Sequence, residues 1–362
     1  MLKLAGKVVV ALLLSLVVWE ILLRIFVVVP IPYRHDPALG WMPEPYSSGL
    51  YTLEGRGVCS YNEYGFRGGP VGEKKPGELR IVALGDSYTE AQQMDIEQTY
   101  PARLEQLLGA RGGVGGGQSV RVLNGGRSAS SPAYCVRLAE EYKQIFQPDW
   151  VVLLTNDGNW VNIFDPGKEI YLKPAGDALN LEVRWKWDTM SPLMKRLMRW
   201  RVRDLATFQY AYARFGTMQA VRAKGAGGEG AGAGGQAEGR AGGKAPPAAR
   251  LEKAVEWTVE QMSRLYPKLV VVHIPTGATV KGLGPKHPVE DLLVKSCASH
   301  GVPLIMMRDR ITRDFAATNE PPYGFYNTLP WTGHLNAHGH ALVARALYEF
   351  FDRELGEAGT AD

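Results

Sequence analysis

Cysteine is scarce in this chain: Cys59, Cys135 and Cys297 are the only thiols in 362 residues, and none forms a Cys-x-x-Cys pair. That spacing excludes a Cys-rich zinc site and a disulfide-dense scaffold. A Cys59–Cys135 disulfide remains open for an oxidising compartment. Charge of one sign is also lacking. Lys plus Arg number 41 and Asp plus Glu 37, so the formal net charge is only +4. So small an excess argues against nucleic acid as a partner. No Gly-x-Gly-x-x-Gly follows the first strand-like run, and no Lys-Ser/Thr follows the glycines at 112–117. Dinucleotide and phosphate-loop sites are therefore set aside. After the first thirty residues there is no apolar run long enough to cross a bilayer.

What is present begins at the N-terminus. Val8 to Val29 is a mostly apolar run preceded by Lys3 and Lys7 and closed by Pro30-Ile31-Pro32. As a helix it spans ~33 Å, about the thickness of the hydrocarbon core. With no small-residue cleavage site after it, the run predicts a single-pass, uncleaved anchor over residues 1–30. The basic end belongs in the cytoplasm, so the rest of the chain is expected on the non-cytoplasmic, periplasmic or extracellular, side. Glu20 and Arg24, four apart on one helix face, interrupt the run.

Residues 31–78, rich in Gly, Pro and Tyr, predict an irregular lead-in with short strands. From residue 79 the pattern becomes regular. Apolar runs at Arg80–Leu84, Val120–Leu123, Trp150–Leu154, Leu269–Ile274 and Val302–Met307 predict strands covered on both faces. Helical stretches at Tyr100–Gly109, Ala133–Phe146, Leu251–Tyr266, Val289–His300 and Ala337–Leu355 alternate with them. The alternation predicts an α/β fold with a parallel, doubly wound sheet across 79–356. An insertion at 160–250 interrupts it. Its stretch 224–250 is nearly all Gly and Ala and is expected to be a disordered loop. Leu193–Phe215, where Lys195, Arg196, Arg199, Arg201 and Arg203 stand among Leu, Met, Trp and Tyr, reads either as an amphipathic helix on anionic lipid or as a cap on the α/β core.

Four short blocks carry the chemistry. The first strand ends in Gly85-Asp86-Ser87, which exposes a serine at the sheet's carboxyl edge, where sites of such sheets lie. Asn124-Gly125-Gly126 follows the second strand, Asn156-Asp157 the third, and His334 precedes the last helix. A serine nucleophile needs a base, and a tetrahedral acyl intermediate needs N–H donors. Asp86 and Asp157 are expected to support their turns through hydrogen bonds. His338 lies four residues after His334, but no Cys or carboxylate stands at ligand spacing, so no metal is expected. His340 reads as a packing or capping residue of the last helix and His273 as a core residue.

These blocks, in this order, resemble the GDSL/SGNH hydrolase family, in particular its membrane-tethered bacterial members. The resemblance covers roughly Arg80 to Phe351, the insertion excepted. It implies a three-layer α/β/α sandwich with a five-stranded, flavodoxin-like parallel sheet, and no cofactor. It also implies Ser87 as nucleophile, His334 as general base, and the Ser87 N–H, Gly126 N–H and Asn156 amide as oxyanion hole. The implied reaction is hydrolysis or transfer of an acyl group, with an acylated glycan or small ester as substrate. A catalytically weakened carbohydrate-binding protein is the alternative. Two features depart from the family pattern. Leu154 replaces a Gly, and Trp331 and Thr332 stand where an Asp normally precedes the histidine. Three explanations stay open: a backbone carbonyl near Pro330–Trp331 orients His334, an acid from elsewhere in the chain, such as Asp309, Asp314 or Glu320, does so, or the site is weakened or inactive.

Overall fold

A computed structural model describes the chain except residues 1, 27–30, 111–118, 203–204, 209, 212–245, 277, 280–281 and 359–362. Helix α1 (Leu2–Phe26) opens it. The lead-in forms two antiparallel hairpins, β1 (Tyr33–Asp36) with β2 (Gly40–Pro43) and β3 (Ser48–Tyr51) with β4 (Gly57–Ser60). Then come β5 (Leu79–Gly85), α2 (Ser87–Glu90), α3 (Tyr100–Ala110), β6 (Val120–Gly126), α4 (Pro132–Phe146), β7 (Trp150–Asn156) and α5 (Asp157–Val161). The insertion contributes the hairpin β8 (Ile170–Ala175) and β9 (Ala178–Val183), then α6 (Lys186–Thr189) and α7 (Pro192–Arg199). The rest is α8 (Ala248–Leu265), β10 (Leu269–Ile274), a short ribbon β11 (Ala278–Thr279) and β12 (Gly282–Leu283), α9 (Pro288–Ser299), β13 (Leu304–Met306), α10 (Arg308–Thr318) and α11 (Ala337–Ala358).

The central sheet runs β13-β10-β7-β5-β6, and every pairing in it is parallel. All seven residues of β5 and of β7 are buried. Strand alternation divides their side chains between two cores. Val82, Leu84, Val151, Leu153 and Val271 face α4, α8 and α9. Ile81, Ala83, Val152, Leu154 and Val272 face α3 and α11. The fold is therefore a three-layer α/β/α sandwich, and the five strands lie where the apolar runs put them. Strand order reverses between β5 and β7, the switch point where such sheets place a crevice at their carboxyl edge.

The first part of the insertion belongs to the core: Trp160, Ile163, Ile170 and Leu172 pack with α4 and α8. Of the expected disordered loop 224–250, residues 224–245 lie outside the described residues, whereas Ala248–Arg250 form the first turn of α8. All three cysteines are buried free thiols, so the Cys59–Cys135 disulfide is not formed. Burial pushes the Cys59 thiol up to about 11.

His340 is buried but caps a different helix from its own. Its Nδ1 accepts the Tyr100 N–H at 3.1 Å, one of the donors at the start of α3 that has no partner within its helix. The ring stacks on Tyr100 with centroids 5.9 Å apart. Burial first, then the nearby charges of Arg67 and Arg103, hold its pKa down to about 3. The folded imidazole thus stays neutral, while an unfolded one takes up a proton below ~6.5. Its contribution to stability is complete above that pH and is lost as pH falls toward about 3. Between pH ~6.5 and ~5, the unfolding free energy of the native protein should fall by up to about 1.4 kcal/mol per pH unit more steeply than that of His340→Asn. Asn keeps an acceptor near the Nδ1 position and does not titrate. Parallel denaturant-midpoint profiles for the two proteins would refute the assignment.

Candidate active site

Ser87 begins α2, directly after the buried strand β5. Asp86 caps this short helix, its Oδ1 accepting the Tyr88 N–H at 3.0 Å. Ser87 is 3% exposed, and among the described residues its own N–H has no protein acceptor. The Oγ lies 2.7 Å from His334 Nε2. His334 precedes α11 on a turn whose Gly333 has φ +72° and donates no side chain to the crowded space around it. The Tyr88 ring lies beside the imidazole, centroids 4.9 Å apart, and its hydroxyl donates to the Gly333 carbonyl at 3.0 Å.

The group that orients His334 is Glu54, from the loop between β3 and β4. Its Oε2 lies 2.5 Å from His334 Nδ1, and its Oε1 accepts the His334 backbone N–H at 2.7 Å. Glu54 is 2% exposed, so this two-point contact takes place out of water. A Cβ at residue 333 would lie 1.9 Å from Glu54 Oε1, which is why only glycine fits there. The Glu54 loop is itself clamped. Asn327 Oδ1 accepts the Gly55 N–H at 2.7 Å, and the Gln93 carbonyl accepts the Arg56 N–H at 2.9 Å. With Nδ1–H bonded to the carboxylate, the Nε2 lone pair is left to accept the Ser87 hydroxyl proton.

Of the three expected explanations, the recruited acid fits this arrangement in kind, but the residue is Glu54 and none of the three named as examples, Asp309, Asp314 and Glu320. Asp314 and Glu320 face His338 instead, at 2.6 and 3.5 Å. No carbonyl of Pro330 or Trp331 is the Nδ1 partner. The acid comes from the lead-in, 280 residues before the histidine. The site therefore spans both sides of the boundary placed at residue 79.

The remaining expected residues fall in two groups. Asn156 ends β7, next to β5, and caps α5 in a reciprocal pair with Asn159. Its Nδ2 donates to Asp86 Oδ2 at 2.7 Å, as does Asn159 Nδ2, also at 2.7 Å. Asp86 thereby links the Ser87 turn to the Asn156 amide and fixes its direction. The second Asn156 amide hydrogen has no protein acceptor among the described residues. Gly126 and Asp157 have other partners. The Gly126 N–H, expected in the oxyanion hole, donates to Asn124 Oδ1 at 2.9 Å and is thus occupied within the protein. Gly126 is needed for packing: a Cβ there would lie 2.2 Å from the Glu90 nitrogen. Asp157 turns to β10, pairing with His273 Nε2 at 3.0 Å and accepting the Thr276 N–H at 2.9 Å. Burial pushes its carboxyl up, but the His273 contact and the Thr276 N–H outweigh this and hold it below the usual range.

No protein-family model matches the chain, and no curated protein matches it. Solved structures do resemble it. A lipase/acylhydrolase from Enterococcus faecalis is 13% identical, with 76% of this chain and 96% of that one covered at a TM-score of 0.41. The acetyl xylan esterase AlAXEase is 13% identical, with 75% and 99% covered at 0.42. A catalytic mutant of an acetylxylan esterase from Geobacillus stearothermophilus is 14% identical, with 77% and 94% covered at 0.40. At these values no chemistry of this chain follows from the likeness, and its chemistry has to be read from its own side chains.

Proposed function

We propose that this chain is a serine ester hydrolase of the SGNH type, with Ser87, His334 and Glu54 as its catalytic triad. One observation carries the proposal: the continuous buried chain from Ser87 Oγ through the two nitrogens of His334 to Glu54, with steps of 2.7 and 2.5 Å. His334 Nε2 removes the Ser87 proton as Oγ attacks the acyl carbon. The carbonyl oxygen becomes an oxyanion, which the Ser87 N–H and the free Asn156 amide hydrogen are placed to receive. As the intermediate collapses, the ester C–O bond breaks and His334 returns the proton to the leaving alcohol. The acyl group stays on Ser87. A water, deprotonated by the same imidazole, then releases the carboxylic acid and restores the serine. Where a sugar hydroxyl replaces that water, the same steps transfer the acyl group. Glu54 stabilises the imidazolium formed in each half-reaction without itself taking the proton.

Helix α1 supports a membrane setting. Leu4–Phe26 is apolar and almost unburied, long enough to cross a bilayer. With Lys3 and Lys7 at its start, the positive-inside rule puts the catalytic part on the non-cytoplasmic face. The substrates proposed from this placement are O-acyl, above all O-acetyl, esters of cell-envelope glycans, together with small acyl esters. The carbohydrate-binding alternative requires a weakened site, and the Glu54–His334 contact supports the hydrolase over it. A fluorophosphonate probe should label Ser87, shown by mass spectrometry of the modified peptide, and an acetyl ester should slow the labelling by competition. A folded protein that neither takes the label nor turns over a chromogenic acetyl ester would overturn the proposal.

A further inference from the structure

The insertion meets the N-terminal helix at an unusual depth. Glu20 lies six residues before the end of α1, about 9 Å along the axis at 1.5 Å per residue. If α1 crosses the bilayer, this carboxylate sits below the headgroups, where an ionisable group needs partners. It has them. Its Oε1 accepts the Ala206 N–H at 2.7 Å and its Oε2 the Thr207 N–H at 2.9 Å. The Thr207 hydroxyl adds a third bond at 2.8 Å, and Arg24 pairs with Glu20 at 2.9 Å. Leu23 packs against Ala206 and Tyr210. Residues 205–208 are therefore held at the depth of Glu20. Leu205 and Phe208, beside these contacts, are exposed apolar side chains.

The chain leading into this segment has the composition of an interfacial element. On α7, Lys195 and Arg199 lie four apart on one face, with Arg196 beside them. Leu193 is exposed on the same helix, and Trp200 follows it at 68% exposure, with the Arg196 guanidinium 5.8 Å from its ring centre. Arg201 pairs with Glu44 of the lead-in at 2.5 Å, which ties the segment to the part of the chain that carries Glu54. Basic groups, an exposed tryptophan and exposed apolar side chains beside the Glu20 contacts together match the surface of an anionic membrane.

We infer that the described residues 192–202 and 205–208 seat the catalytic part on the outer face of the membrane. Lys195, Arg196 and Arg199 meet the phosphates of anionic lipid, and Trp200, Leu205 and Phe208 enter the interface. The inference rests on the proposal that α1 is an anchor, and the test separates the two. The full-length protein is placed in nanodiscs of phosphatidylcholine, with and without phosphatidylglycerol, using lipids brominated on their acyl chains. Subtracting the fluorescence of Trp200→Phe isolates Trp200, and Trp19→Phe isolates Trp19 within α1. Both components should be quenched. In K195Q/R196Q/R199Q, the Trp200 quenching in the anionic discs should fall by about half or more, because each basic side chain gives on the order of a fivefold preference for an anionic surface. Turnover of a soluble acetyl ester, unchanged in this variant, shows that it is folded. Quenching of Trp19 but not Trp200 overturns the seating and leaves the anchor standing. Quenching of neither overturns both. Trp200 quenching that is unchanged by the three substitutions overturns the lipid-phosphate contact.

Discussion

Glu54→Gln should lower kcat for an acetyl ester by about 10³–10⁴-fold, the cost of removing a triad's acid in enzymes built this way. The size of the effect follows from the geometry. Glu54 meets His334 at both Nδ1 and the backbone nitrogen, so it fixes the ring's tautomer and its position at once. A Gln carbonyl can still accept one of these bonds but brings no charge to balance the imidazolium. Its amide donor also favours the tautomer whose Nε2 carries the hydrogen, which cannot accept the Ser87 proton. KM should change little, because Glu54 lies behind the imidazole, on the side away from Ser87. Asp309→Asn, Asp314→Asn and Glu320→Gln serve as comparisons and should each cost less than about tenfold, an ordinary effect for a group outside the triad. A kcat for Glu54→Gln within about tenfold of the native value, with folding intact, would mean that the ring is oriented in some other way.

The sheet and its site edge were legible because local signals report them directly. β5, β7 and β10 are short β-branched runs buried on both faces, and a turn after each of the first three strands carries a residue type with evident chemistry. Ser87 and His334 were legible for the same reason, since each stands at a fixed place relative to a strand or helix start. Glu54 was not. It stands in a loop between two four-residue strands, among other acidic residues such as Glu44 and Glu63, and nothing in its neighbours marks it. Its only distinguishing feature is a contact across 280 residues, which neither periodicity nor spacing encodes. Gly126 is ambiguous for the opposite reason: a glycine in the expected block has two possible uses, and here the close approach of α2 and the N–H bond to Asn124 Oδ1 point to packing. His340 reads from the sequence as a packing or capping residue of the last helix, whereas the helix it caps is α3, a partner set by how two distant helices pack.

The acid's position also changes which part of the chain is needed for chemistry. The lead-in is fastened to the nucleophile's surroundings at several points besides Glu54. Arg67, buried, donates to the Glu90 carbonyl at 2.9 Å and the Met94 carbonyl at 2.5 Å, both in the segment that follows Ser87. The Tyr61 hydroxyl donates to Glu90 at 2.9 Å. Residues 33–78 therefore wall the candidate site, and in the proposed hydrolase they also supply its acid, so that hydrolase cannot be reduced to the region from residue 79 onward.

Ser87→Ala carries the largest expected loss, about 10⁶-fold in kcat, as when the nucleophile is removed from a serine hydrolase in which the triad works as a unit. His334→Ala should fall to about the same floor, because a serine without its base is as inert as no serine. The test that separates a working triad from three independent contributors is the double variant Ser87→Ala/Glu54→Gln. Once the nucleophile is gone, Glu54 has no imidazolium to stabilise, so the double variant should be no slower than Ser87→Ala alone. Independent contributions would instead multiply, placing it about 10³–10⁴-fold lower. The residual rate of Ser87→Ala over uncatalysed hydrolysis is informative in turn. It reports what the Ser87 backbone N–H and the Asn156 amide still offer a carbonyl attacked by water, and Asn156→Ala made in that background should lower it further. Activity of Ser87→Ala within about a hundredfold of the native protein would overturn the covalent mechanism, since no oxyanion hole alone comes that close.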